Sequence, residues 1–263
     1  MNDGQDILRL PENLIGEGLE SLYRKYNDKK YIQYDPIKYV YRFHDPVEQE
    51  LVGLIASTLA FGRVSQIFKA VDRLLEIVRN EPLRYILAHE KRPGKELLAF
   101  RYRFVTGLDL YQFFSAARKI LMQYGSLGNF MRKNYETGAF LKLVERVIRA
   151  FQGIHYLIPS SLKGSPCKRL FMYFRWMARA DNIDMGLWDF IHSRELVIPL
   201  DTHIFRVSGQ LGFTNRKTPS LATAVKITDC LRKYCEDDPV KYDWALAHQG
   251  ILANNFRIAP ALS

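Results

Sequence analysis

The chain has 263 residues, 48% of them hydrophobic and 25% charged, a composition that builds a packed core without disulfide or metal staples and excludes a fibrous or disordered protein. Lys and Arg number 38 against 28 Asp and Glu, a formal net charge of +10, which favours a polyanionic partner, nucleic acid before acidic membrane. No apolar run reaches the ~20 residues that span a bilayer, and the opening MNDGQDILRL lacks the basic and then apolar stretches of a secretory leader. A monomeric protein of the cytoplasm, associated with the nucleoid, is expected. The three cysteines, Cys167, Cys230 and Cys235, are an odd, scattered set that fits reduced thiols. With no C-x-x-C or H-x-x-x-H pair in the chain, no metal and no cofactor is expected.

Apolar residues recur at helical spacing nearly throughout, and strand-like alternation is almost absent. The first clear helix starts after Asp45, with Asp45 as N-cap, Pro46 at its first position and Glu48 placed to bond back to the cap; it carries Leu51, Leu54, Ile55 and Leu59 on one side. A second carries Ile67, Val71, Leu74, Leu75 and Val78. Further helices are predicted over Tyr111 to Tyr124, Thr137 to Phe151 and Pro166 to Arg179, with a short one at Leu187 to Ile191. After an extended segment from Glu195 to Leu200, Asp201 is placed to cap a helix running to Gln210 and stopped by Gly212. Helices over Ser220 to Cys235 and Pro239 to Ala253 follow. No repeat or linker divides the chain. The fold class is all-α.

The most informative stretch is IPLDTHIFRVSGQLG, Ile198 to Gly212, which sets Asp201 at a helix start with His203 and Arg206 on the turns behind it. Upstream, Gly164-Ser165-Pro166-Cys167-Lys168 opens another helix whose apolar face holds Leu170, Phe171, Phe174 and Met177. Taken singly, an Asp at a helix start is first of all a cap, and a Lys near a helix start is a solvated charge.

Together the two stretches resemble the helix-hairpin-helix DNA glycosylase superfamily, typified by endonuclease III. There a V-D-T-H-x-F-R-V string carries the catalytic aspartate, and a G-V-G-x-K hairpin opens the helix with the nucleophilic lysine. Asp201 and Lys168 fall on those positions. Pro166 replaces the second hairpin glycine, and Asn182 to Arg194 lengthen the connection, as in the archaeal 8-oxoguanine glycosylase branch. The helix from Leu51 to Ala60 resembles the one that leads to the family's gap-filling loop, whose place is taken by Phe61, Gly62 and Arg63. Phe100 to Phe104 resembles an aromatic and basic turn of the family, and Trp244 to Gly250 (WALAHQG) resembles the helix with its W-x-x-x-H-G. No cysteines follow that helix in NNFRIAPALS, so the resemblance implies an enzyme without an iron–sulfur cluster.

The resemblance implies two interleaved helical subdomains with the hairpin at their junction, residues 46–180 forming one and 1–45 with 181–263 the other. It implies excision of a damaged base, oxidised purine being the first candidate, from double-stranded DNA, joined to strand cleavage at the abasic site. Lys168 would attack the anomeric carbon, and Asp201 would stabilise the charge that develops on the sugar. Gly164, Ser165 and Pro166 would present backbone N–H groups to phosphate, with Arg63, Phe61, His203 and Arg206 also on the DNA side. Two other readings stay open: a helix-hairpin-helix protein that binds nucleic acid without catalysis, and a helical interaction module whose charge is incidental.

Overall fold

The computed structural model describes residues 11–88, 92–154, 156–159 and 164–252, with residues 248–252 described as backbone alone. Twelve α-helices are found among them: α1 Glu12–Tyr26, α2 Pro46–Thr58, α3 Val64–Ile77, α4 Pro82–Leu87, α5 Lys95–Leu98, α6 Gly107–Tyr124, α7 Leu127–Asn134, α8 Phe140–Ala150, α9 Lys168–Ala178, α10 Thr202–Gln210, α11 Leu221–Arg232 and α12 Tyr242–Leu252. The fold is all-α apart from one antiparallel hairpin, β1 Arg101–Tyr102 and β2 Val105–Thr106. No helix among the described residues is long and apolar enough to cross a membrane.

Local chemistry sets most boundaries. Asp45 accepts from the N–H groups of Val47 and Glu48 and Pro46 follows it, as the sequence predicts; Glu48 makes no return bond among those described. The full capping box instead opens α6, where the Thr106 side chain accepts from Asp109 N–H and the Asp109 carboxylate accepts from Thr106 N–H. Gly125, at φ +79°, ends α6 in the left-handed conformation that glycine adopts without strain. Ser126 and Ser220 cap α7 and α11.

At the centre lies α2, buried from Glu50 through Thr58 between a 3-10 segment, Pro36–Arg42, and α9. Gly53 makes the approach of α9 possible: a Cβ there would stand 2.7 Å from Met177 Cε and 3.3 Å from the Tyr173 ring. The first and last of the described helices meet, α1 packing on α12. Trp244 Nε1 donates to Tyr26 O at 3.0 Å, Lys241 pairs with Glu20 at 2.6 Å, and the Tyr242 hydroxyl donates to Glu20.

Four expectations need correction. The helix predicted from Thr137 begins later, at Phe140, and the one predicted from Pro166 begins at Lys168, because Cys167 adopts a left-handed conformation (φ 52°) that no helix interior tolerates. The last helix begins at Tyr242 rather than Pro239; Ala253, its predicted end, lies outside the described residues, as do MNDGQDILRL and NNFRIAPALS. The short helix at Leu187–Ile191 does not form. That insert instead docks its backbone on the end of α9, Met185 N–H donating to Trp176 O at 2.7 Å and Trp188 N–H to Met177 O at 2.8 Å. Trp188 itself is buried, its indole N–H donating to Glu50 at 2.8 Å. Amphipathic spacing here reflects burial of one large ring, not a helical face.

Candidate active site

Lys168 is the first residue of α9 and is half-buried. Along α9 it shares one face with Met172 and Arg175, at steps of four and three residues, and Arg179 follows as the extended C-cap of the helix. The segments that cross this face carry carboxylates. The Arg175 guanidinium is closed on Asp243 of α12 and lies 3.3 Å from Asp184. Arg179 reaches both oxygens of Asp238, at 2.8 and 3.0 Å, Asp184 at 2.7 Å and Asp181 at 2.8 Å. Two guanidinium groups thus serve four carboxylates, nearly all out of water. Burial opposes charge on Arg175 and Arg179, but the surrounding carboxylates outweigh it and hold both more firmly protonated than usual. The carboxylates are in surplus, so some retain protons. Burial raises Asp184 and Asp238 and pushes Asp243 up to about 7 against the pull of Arg175.

Three further groups act on Asp243: Asp184 raises it, and of the two that the sequence singles out the Asp201 carboxylate raises it and the Lys168 ammonium lowers it. Lys168 and Asp201 therefore lie within electrostatic reach of one buried carboxyl. Asp201, half-buried, caps α10 through Oδ1, which accepts from Ile204 N–H at 2.8 Å. His203 ties α10 to α12 through a 3.0 Å contact between Nε2 and Leu246 O, and its Nδ1 faces Arg206 at 3.3 Å. The carbonyl can only accept, so Nε2 carries the hydrogen and Nδ1 accepts from Arg206. Arg206 is exposed and His203 is half-buried.

At the start of α9, Gly164 is exposed with φ +79°, Ser165 Oγ accepts from Cys167 N–H at 3.1 Å, and no side chain caps the helix. Next in the chain, Arg169 donates to Thr58 O at 2.7 Å and Tyr156 O at 2.5 Å, and its guanidinium lies 4.9 Å above the Phe61 ring. Phe61 is turned inward, between Arg169 and the Tyr102 ring, and its carbonyl accepts from the Tyr102 hydroxyl. Of the predicted pair in this loop only Arg63, the residue before α3, stands in solvent. The structure thus gathers the α2–α3 loop, the β1–β2 hairpin and the start of α9 on one side of the molecule.

A family model described as "Protein of unknown function (DUF2400)" matches residues 35–252. The chain belongs to the DUF2400 family. Neither the comparison with curated proteins nor that with solved structures returns a match. The match in this DUF2400 chain takes in α2 to α12, and with them Lys168, Asp201, Asp243 and both arginines of the α9 seam.

Sequence reasoning does not reach the seam itself. Arg175 and Arg179 read as polar interruptions of an apolar helix, and their i, i+4 spacing is the signal that could have marked them. Asp243 precedes the WALAHQG string and carries no motif of its own; the side chains of His248 and Gln249 in that string are not among those described. A surface cleft of about 550 Å3 lined by Val78, Arg84, Tyr85 and Lys95 contains neither Lys168 nor Asp201.

Proposed function

We propose that this protein is a DNA base-excision glycosylase with abasic-site lyase activity, working on the nucleoid as a monomer, with Lys168 as nucleophile and Asp201 as the carboxylate that stabilises charge on the sugar. The supporting observation is that α12 joins the two helices concerned: its Asp243 pairs with Arg175 of α9, the helix that Lys168 opens, and its Leu246 carbonyl is bound by His203 of α10, the helix that Asp201 caps. A two-residue mechanism needs an amine and a carboxylate held near one another.

In the reaction, the unprotonated Lys168 amine attacks C1′ of an extruded nucleotide and the bond from C1′ to the base breaks, the base leaving with the bonding pair and taking up a proton. Asp201 stabilises the positive charge that builds on the sugar as that bond lengthens. Opening of the sugar ring leaves a Schiff base between Lys168 and C1′. Loss of a C2′ proton then expels the 3′ phosphate and cuts the strand. Extrusion costs a few kcal/mol, which phosphate contacts along the cationic surface offset.

Borohydride delivers hydride to such a Schiff base and fixes protein to DNA. The test is trapping on a panel of duplexes bearing damaged bases, oxidised purines first, with Lys168→Gln as control. A trapped complex in the parent and none in the variant supports the reading; no trapping and no release of base from any lesion overturns it. The cap bond from Asp201 to Ile204 favours a second reading, non-catalytic DNA binding in which Asp201 only holds α10. Under that reading the protein binds duplex and releases no base.

A further inference from the structure

The chain has 16 Phe, 15 Tyr and 3 Trp, and among the described residues only three aromatic rings stand mostly in solvent: Tyr34, Phe104 and Tyr156. Two of those three are stacked on each other. Phe104, 64% exposed, and Tyr156, 56% exposed, have centroids 5.9 Å apart and planes inclined by 22°. Exposure of large rings forgoes burial worth roughly 1.5–3 kcal/mol for a Phe side chain, so a matched pair left in water is a surface prepared for another flat group.

Each ring is held from a different direction. Phe104 stands at the turn of the β1–β2 hairpin, next to Arg103 at φ 52°, while Tyr102 and Val105 on either side are buried. Tyr156 is fixed by the Arg169 guanidinium on its carbonyl and by the buried Leu157 and Ile158 that follow. Because the same guanidinium holds Thr58 O, the platform, the α2–α3 loop and the start of α9 are one assembly.

The surroundings select the ligand's charge. The four segments that meet here, residues 58–63, 100–106, 156–159 and 164–169, contain Arg63, Arg101, Arg103, Lys168 and Arg169 and no Asp or Glu. Arg103 reaches across to the α2–α3 loop, where a Cβ on Gly62 would stand 2.6 Å from its Nη1. A π face flanked by cations fits a nucleobase with its phosphates.

We propose that the Phe104–Tyr156 pair is a stacking platform for an unpaired nucleobase, so that the protein prefers DNA containing locally unpaired bases over continuous duplex. The proposal rests on the DNA reading above but not on its chemistry, since neither ring takes part in base release.

The experiment compares binding of two oligonucleotide duplexes of equal length at fixed salt, one fully paired and one with a short run of unpaired thymines, by fluorescence anisotropy. A 2-aminopurine placed in the unpaired run reports stacking by quenching. The parent should bind the unpaired duplex more tightly and quench the probe. Phe104→Ala and Tyr156→Ala should each lose about ten-fold on the unpaired duplex, within the range that base–aromatic stacking supplies, and less than two-fold on the paired one; Phe104→Trp should retain both affinity and quenching. Equal parent affinity for the two duplexes, or equal losses on both in the alanine variants, overturns the platform. So does self-association of the parent that Phe104→Ala abolishes, which would make the pair a contact between two copies. Failure of borohydride trapping with the unpaired preference intact removes the enzyme reading alone, whereas trapping that persists without the preference removes the platform alone.

Discussion

The Arg175 guanidinium of α9 and the Asp243 carboxyl of α12 meet out of solvent, and Arg175 is shared with Asp184. One cation between two carboxyls leaves room for a proton, and at Asp243 burial holds that proton up to about 7. The stability of the fold should register it. Asp243 is protonated in the folded state and ionised in the unfolded state between its ordinary value of 3.8 and about 7. Raising the pH through that window therefore removes stability, by at most ~1.4 kcal/mol per pH unit. Above the window the cost is complete, and below it there is none. Urea unfolding at pH 5 and pH 8 should show a smaller loss in Asp243→Asn than in the parent. An identical loss in both would place the proton on another carboxyl of the cluster.

Asp201→Asn separates cap from catalyst. Asn caps about as well as Asp, so the bond to Ile204 N–H survives and the melting temperature should stay close to the parent's. Turnover on a lesion that the parent cleaves should nevertheless fall by at least ~100-fold, the scale for losing one charge-stabilising group, while lesion affinity persists. Full activity in Asp201→Asn would reduce the residue to its cap. In that case only Asp201→Ala should show a defect, a loss of ~1 kcal/mol in stability.

Gly128→Ala tests the burial of Glu50. The Glu50 carboxylate accepts from Gly128 N–H and from the Trp188 indole, both at 2.8 Å, and burial raises its pKa despite them. A Cβ on residue 128 would stand 2.1 Å from Glu50 Oε1 and 2.7 Å from Trp188 Nε1. The clash should cost at least ~2 kcal/mol, within the range for overpacked sites, and thermal unfolding reads it directly. A variant as stable as the parent would mean that α7 shifts freely against α2.

Duplex binding should weaken steeply with salt, its logarithm falling by roughly 0.9 per phosphate contact for each decade of salt. Arg63→Ala should flatten that slope by about one contact while leaving the fold intact, because Arg63 is exposed and makes no side-chain cap. A slope unchanged by the substitution would remove Arg63 from the DNA surface.

Features that depend on a few neighbouring residues are legible in this sequence. Asp45 with Pro46 and Asp201 before Thr202 were readable because a cap is a bond across three residues. Trp188 and the Arg175–Asp243 pair were not, because their partners lie far along the chain. The pattern around Leu187 is compatible with a helix until Met177 and Trp176 claim the backbone of the insert. The half-buried setting of Phe61 is illegible for a related reason: the residues that pack on its ring, Tyr102 and Arg169, come from two other segments. Of the candidate site, the sequence marks Lys168 and Asp201 but not the carboxyl that lies within reach of both.

The pairing of α1 with α12 also orders events during synthesis. A chain grows from its N-terminus, so the residues of α1 emerge more than two hundred positions ahead of Tyr242 and Trp244, which receive them. Until then the apolar side of α1, with Ile15 and Leu19, has no final resting place. Closing so wide a loop comes late in folding and delays the last cooperative contact. A nascent chain stalled before α12 should hold α1 open to proteases and chaperones, and the emergence of α12 is the moment at which that vulnerability ends.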